Sequence, residues 1–253
     1  MNPIEHKQIN ELLQPLLLQI QSILTDKFVG MYIGGSLASN NFHYETSDID
    51  CYIITTSKLS KNMIKNIEEM HKQFYSSKLK YAQKIEASYI PQNDLLNFDP
   101  NGMRPYFNEG CYSLGEYRNN YIIELHVLRE KGIAIFGPDI KSLIKKISTQ
   151  DLILAIQNNL RDYWEITLND LSKFRKSDYQ VFAILTMCRT LYSLETGSIT
   201  SKREAAQWAI QKLRPDWKNL IEQALAWKPG QEINKSEEAQ KFVRYTLNRS
   251  EIV

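Results

Sequence analysis

"YIGGSLASNNFHYETSDIDCYIIT", residues 32 to 55, puts two glycines and a serine at the end of one β-rich stretch and an Asp-Ile-Asp at the start of the next. Side chains on a strand alternate faces, so Asp48 and Asp50 point the same way, with Cα atoms roughly 6.5 to 7 Å apart. Two like charges so arranged need a cation. Gly34 and Gly35 end the first strand and let backbone approach a ligand, and Ser36 opens a short predicted helix whose free amides and hydroxyl suit phosphate oxygens. The carboxylates are hard oxygen ligands suited to Mg²⁺, which in turn bridges a nucleotide triphosphate. A third acid is expected on a neighbouring strand. In "KIEASYIP", residues 84 to 91, Ile85, Ala87 and Tyr89 share one face and Glu86 takes the other, from which it can meet the aspartate pair.

Outward from that stretch the chain changes texture near its middle. Residues 5 to 24 carry apolar side chains at helical spacing, with Pro15 expected to kink or break the helix. "FVGMYIGG" and "DIDCYIITT" read as strands, "KNMIKNIEEMHKQFYSS" as a helix, "YAQKIEASYIP" as a strand, and residues 121 to 136 as one or two more strands before Gly137-Pro138. Helical spacing then covers 150–171, 178–195, 201–213, 216–227 and 236–248, punctuated by Gly197, Pro215 and Pro229-Gly230. The expectation is an α/β (α+β) domain with a mixed sheet over residues 1–149 and an α-helical bundle domain over 150–253.

Bulk properties narrow the function. The 253 residues carry 31 basic and 29 acidic side chains, a net charge of +2, so no overall field favours nucleic acid or an anionic membrane. No run approaches the roughly 20 apolar residues of a membrane span, and Met1 to Asn10 is polar where a signal peptide needs an apolar core. A cytoplasmic protein is expected. Cys51, Cys111 and Cys188 are widely spaced, without CxxC, which fits a reducing compartment, offers no zinc site and marks them as packing residues.

The order strand, Gly-Gly-Ser, about a dozen residues, Ser-Asp-Ile-Asp, then an acid on a later strand resembles the nucleotidyltransferase superfamily with the DNA polymerase β-like fold. "ILTMCRTLYSLETGSITSKREAAQWAIQKL", residues 184 to 213, is similar to the helical-domain signature of the bacterial aminoglycoside 3''/9-O-adenylyltransferases, the streptomycin and spectinomycin resistance enzymes. The match includes Cys188-Arg189, Thr196-Gly197 and Ser201-Lys202. The resemblance implies Asp48 and Asp50 as Mg²⁺ ligands, Glu86 as catalytic base, Gly35, Ser36 and Ser47 at the phosphates, and Arg189 and Lys202 as nucleotide contacts from a helical domain that closes over the site. It implies ATP as co-substrate, AMP transfer to a hydroxyl of an aminoglycoside or aminocyclitol lying in the cleft between the domains, and antibiotic resistance as the outcome. A monomer is expected. Ser201 and Glu204 form an SxxE capping box, which independently puts Lys202 in the first turn of a helix, where the dipole favours anions.

The departures from the family fall where substrate is chosen. Its aromatic drug contact lies in a GEW-type loop, and "LGEYRNN" offers Tyr117 instead. Its acidic contact before the 184–195 helix corresponds to Tyr179 or, one residue earlier, Asp178. Between Trp164 and Asp178 the loop "SKFRKSD" is longer than usual and adds positive charge. Tyr117, Trp164 and Asp178 are therefore the candidate substrate contacts. Two other readings stay open: the same chemistry on a protein, RNA or other small-molecule acceptor, against which the missing basic stripe counts for RNA, and a catalytically silent nucleotide-binding regulatory module, against which the three retained acids count.

Overall fold

The computed structural model describes residues 4, 6–45, 47–97, 99 and 101–250. The chain divides into two compact units, Met1–Lys146 and Ile147–Val253.

The first unit is built on a six-stranded sheet. Its elements run α1 (Lys7–Leu24), β1 (Phe28–Ile33), α2 (Gly35–Ala38), β2 (Ile49–Thr55), α3 (Lys61–Tyr75), β3 (Ile85–Pro91), α4 (Gln92–Leu96), β4 (Met103–Asn108), β5 (Cys111–Glu116), α5 (Asn120–Lys131), β6 (Ile133–Phe136) and α6 (Ile140–Leu143). The strand order is β5-β4-β3-β2-β1-β6. β2 and β3 pair in parallel and the other neighbours antiparallel, so the sheet is mixed.

The pleat sorts these strands into two faces. Ile49, Cys51, Ile53, Ile85, Ala87, Tyr89 and Phe107 enter a core with α1 and with Ile67, Met70 and Phe74 of α3. Each fully buried side chain of this size stabilises by about 1.5–3 kcal/mol. That burial fixes the register, and the even-numbered residues then have no choice: Asp50, Tyr52, Glu86, Ser88, Arg104 and Tyr106 share the opposite face. Ser60 caps α3 by accepting from the Met63 N–H at 3.3 Å.

Several local expectations are corrected, and one hairpin is added. Helix α1 runs through Pro15 without a break, and Glu5, where that helix was expected to begin, lies outside the described residues. Residues 120–131 are helical rather than extended, because Tyr121, Leu125 and Leu128 bury one helical stripe; the strand in that region is confined to Ile133–Phe136. The β4–β5 hairpin, which the sequence reading passed over, is closed by Glu109 (φ 51°) and Gly110 (φ 72°). Positive φ at both central residues is the two-residue turn whose twist matches the strands. Cys51 and Cys188 are buried packing residues, whereas Cys111 is exposed.

The second unit contains α7 (Thr149–Asn159), a π-helical turn at Leu160–Glu165, α8 (Ser177–Thr196), α9 (Lys202–Lys212), α10 (Lys218–Ala226) and α11 (Ser236–Ser250). Helix α8 is central, packing on α9, α10 and α11 through Ala183, Ile184, Met187, Cys188, Leu191 and Leu194. Gly197 ends it in the left-handed conformation (φ 66°), its N–H donating to the Ser193 carbonyl at 2.9 Å. The helix expected over 150–171 forms without a gap to residue 167, and the widened π-helical turn that follows α7 places Trp164 in the core. Among the described residues no helix is long and apolar enough to cross a membrane.

Candidate active site

β2 and β3 are in register with Asp50 beside Glu86. On adjacent strands that pairing sets their Cα atoms about 4.8 Å apart, and both side chains line a cavity of about 510 Å³ in the first unit, with Arg104, Tyr106, Glu116 and Glu124 also in its wall. Asp48 sits one residue ahead of β2 and is exposed. It is still close enough for its charge to act on Glu86.

The end of β1 and the start of α2 are tied to the same strand. The Gly34 N–H donates to the Asp50 carbonyl at 2.9 Å. Gly35 has φ +57°, and a Cβ built there would lie 1.7 Å from Asp50 Oδ2. No side chain fits, which gives the second glycine of the Gly-Gly-Ser stretch a physical reason: it lets the turn carrying Ser36 lie against the Asp50 carboxylate. Gly35→Ala should cost about 1–2 kcal/mol for the left-handed backbone and displace Asp50. A displacement of about 1 Å lowers turnover about 10²-fold. Thermal melting and steady-state turnover check this, and unchanged turnover in a folded variant would detach Gly35 from the site.

Glu86 is half-buried, and its carboxyl is raised above the usual range, first by desolvation and then by the charges of Asp48 and Glu124, against a lowering hydrogen bond from Tyr106. That bond, Tyr106 Oη to Glu86 Oε2, is 2.6 Å long. Burial and the Glu86 carboxylate push the Tyr106 phenol well up, so it remains a donor. Arg104 is buried behind them. Its Nε donates to Ser88 Oγ at 3.2 Å, one Nη pairs with Glu124 at 3.3 Å, and its guanidinium lies over the rings of Tyr117 and Tyr121 at 5.0 and 5.1 Å.

Among the described residues no group of three or more His, Cys, Asp or Glu side chains is arranged to hold a metal ion by itself. The expected convergence of three carboxylates is thus realised as a side-by-side pair, Asp50 and Glu86, with Asp48 at the strand entrance. Such a set still fits Mg²⁺, which binds through one or two carboxylates and takes the rest of its shell from phosphates and water. The donors are hard oxygens. The adjacent Cys51 thiol is buried and driven up by desolvation and by the charges of Asp50 and Glu86, so it stays a thiol.

The remaining candidates fall in different surroundings. Ser36 is the second residue of α2. Ser47 Oγ accepts from the His43 N–H at 3.0 Å, and Lys84 Nζ donates to the carbonyls of Glu45 and Ser47 at 3.0 and 3.1 Å, pinning the loop that enters β2. Tyr117, expected as a stacking platform, is instead 3 % exposed, its hydroxyl donating to Asp94 at 2.8 Å and its ring against Tyr121. In the second unit the capping box of α9 forms with both of its bonds, so Lys202 is the first residue of the helix. Its Nζ lies 4.6 Å from the ring centroid of Phe182, on the α8 stripe that also carries Arg189. Trp164 is 1 % exposed and stacks beneath Phe182 at 5.6 Å, which makes it a support for that ring rather than an open surface. Asp178 is exposed in the first turn of α8. In the loop before it Phe174 is buried and Lys173 covers the Tyr163 and Tyr179 rings at 5.1 and 5.8 Å.

The family model described as "Aminoglycoside adenylyltransferase, C-terminal domain" matches residues 142–250. Spectinomycin 9-adenylyltransferase of Campylobacter jejuni is 29 % identical over 203 residues, covering 76 % of this chain and 75 % of the relative. The Staphylococcus aureus protein of that name is 25 % identical over 234 residues, covering 87 % and 85 %. Aminoglycoside (3'') (9) adenylyltransferase of Klebsiella pneumoniae is 25 % identical over 221 residues, covering 79 % of each. The crystal structure of spectinomycin adenyltransferase AAD(9) from Enterococcus faecialis with ATP and spectinomycin superposes with a TM-score of 0.72 at 20 % identity, covering 95 % of this chain and 98 % of that one, so the two share a fold. The family model thus matches the helical unit and the relatives align across both units, so the chain is similar along most of its length to the aminoglycoside adenylyltransferases.

Proposed function

We propose that this protein is a Mg²⁺-dependent adenylyltransferase that transfers AMP from ATP to a hydroxyl of an aminocyclitol or aminoglycoside antibiotic, with spectinomycin the favoured acceptor and streptomycin the second, and so confers resistance. The observation that carries the reading is the register of Asp50 beside Glu86 in one cavity, with the Gly35 backbone against Asp50. The bound metal would neutralise the phosphates and polarise the α-phosphorus, and Asp50 and Asp48 would hold it. Glu86 accepts the proton of the acceptor hydroxyl. That oxygen bonds to the α-phosphorus in line as the bond to the bridging oxygen breaks, and pyrophosphate leaves with the electron pair. The raised carboxyl of Glu86 suits it to this work, since a base acts best when its pKa is drawn toward the working pH.

Ser36, Ser47, Arg189 and Lys202 are proposed as nucleotide contacts. The acceptor choice draws on the names of the relatives and on charge: Asp50, Glu86, Glu116 and Glu124 outnumber Arg104 and Arg118 in the cavity wall, which favours a cationic ligand. Asp178 is a further acidic contact for it. The protein would act as a monomer in the cytoplasm, where ATP is supplied.

The test is pyrophosphate release by the purified chain with Mg·ATP and, in turn, spectinomycin and streptomycin, with mass spectrometry of the product. A mass increase of one AMP on either drug, with a raised inhibitory concentration in a susceptible bacterium expressing the protein, is expected. Pyrophosphate release without a modified drug would point to another acceptor.

A further inference from the structure

The carboxylate of Glu86 has a problem that its strand position does not solve. The last torsion of a glutamate is broad, so register places the carboxyl carbon but leaves the two oxygens free to rotate. The neighbouring charges of Asp48 and Glu124 repel it. A proton acceptor, however, must present one oxygen within hydrogen-bond reach of the proton it takes.

We propose that Tyr106 is a positioning residue for the transfer reaction, its phenol holding Oε2 of Glu86 so that Oε1 is turned to the acceptor hydroxyl; this rests on Glu86 being the base. Tyr106 is itself fixed by the sheet. It pairs with Ser88 across the antiparallel β3–β4 ladder, two residues beyond Glu86, and Phe107 beside it is buried in the core opposite Ala87. From there the phenol reaches Glu86 along the shared polar face at 2.6 Å, the short separation of a hydrogen bond to an ionised oxygen. Among the described residues the hydrogen bond to Glu86 comes from this phenol and no lysine or arginine pairs with it. The distinction matters chemically. A cation would hold the carboxylate equally well but make it a poorer base, whereas a neutral donor fixes its orientation and leaves its charge for the proton. Arg104, two residues earlier on the same face, is directed elsewhere, to Ser88 and Glu124. When Oε1 takes the acceptor's proton, Oε2 becomes the carbonyl oxygen of the acid and still accepts from Tyr106. The bond therefore persists through the step without a second proton moving.

The test uses the full chain with Mg·ATP and spectinomycin and compares Tyr106→Phe, Glu86→Gln and the double variant. Tyr106→Phe should lower kcat about 10- to 100-fold, while the acceptor KM and the calorimetric Kd for Mg·ATP stay within about twofold. In the Glu86→Gln background it should lower kcat no further, because the two residues act as one unit. Unchanged kcat in Tyr106→Phe, a loss shared with KM and Kd, or the same fold loss repeated on top of Glu86→Gln would each overturn the positioning role. If instead Glu86→Gln alone kept wild-type kcat, the base assignment beneath it would fall first.

Discussion

Asp50→Asn should abolish nucleotidyl transfer while leaving the protein folded. The asparagine has the shape of the aspartate, so the contact with the Gly35 backbone survives, and the Gly34 N–H bond goes to the main-chain carbonyl of residue 50, which the substitution does not touch. What is lost is one negative charge and one hard oxygen donor. An amide is a much weaker ligand for Mg²⁺, and a metal-centred charge stabilisation is worth several kcal/mol in the transition state. At 1.36 kcal/mol per tenfold this predicts a fall in turnover of about 10³-fold or more. Thermal melting should stay close to wild type, because the substitution keeps the side-chain shape at residue 50 and the strand register around it. Titration with Mg²⁺ at saturating ATP gives the decisive measurement. Near wild-type turnover at saturating metal would show that Asp50 is not a ligand.

The reason Asp50, Glu86 and Gly35 could be found in the sequence is that strand periodicity is rigid. Once Ile49, Cys51 and Ile53 are buried, residue 50 has to face the other way, and the same holds for Glu86 between Ile85 and Ala87. The residues around them were less legible because the elements carrying them were. β4 reads "MRPYFN", and a proline inside a short run argues against a strand. Its partner β5 has no buried residue to set up an alternation. Arg104 and Tyr106 therefore had no face to belong to. Glu124 was lost differently: Ile122-Ile123 suggests a strand, whereas the stripe Tyr121, Leu125, Leu128 makes a helix and carries Glu124 to the cavity. Aromatic residues mislead for a third reason. A ring that stacks on a ligand and one that fills a core look alike in sequence, and Tyr117 and Trp164 are buried for reasons, the Asp94 hydroxyl bond and the Phe182 stack, that depend on partners tens of residues away in the chain or in another helix. The capping box at Ser201 and Glu204 is the opposite case, a local motif whose two bonds close within four residues, and it formed as written.

Glu86→Gln should separate binding from chemistry. Glutamine keeps an oxygen that can accept from Tyr106 and keeps the side-chain volume, so the residue should stay where it is on β3. It cannot take a proton. Removing a positioned general base lowers the chemical step by about 10² to 10⁴, and kcat should fall within that range. The affinity for Mg·ATP should hold or improve, since the substitution removes one of the charges crowding the polar face, where Glu86 lies beside Asp50 and within reach of Asp48 and Glu124. The pH profile carries a second signature with a definite sign. Desolvation and the neighbouring acids raise the Glu86 carboxyl above its ordinary value, and the base is active only when ionised. The wild-type rate should therefore decline as pH falls through that raised pKa, from a point above the ordinary glutamate value, and the residual rate of the glutamine variant should lack that limb. Single-turnover kinetics with isothermal titration of Mg·ATP distinguish the outcomes. A collapse of Mg·ATP affinity in Glu86→Gln would make Glu86 a metal ligand alongside Asp50 and Asp48 rather than the base, and the proton of the acceptor hydroxyl would then have to be taken by another group.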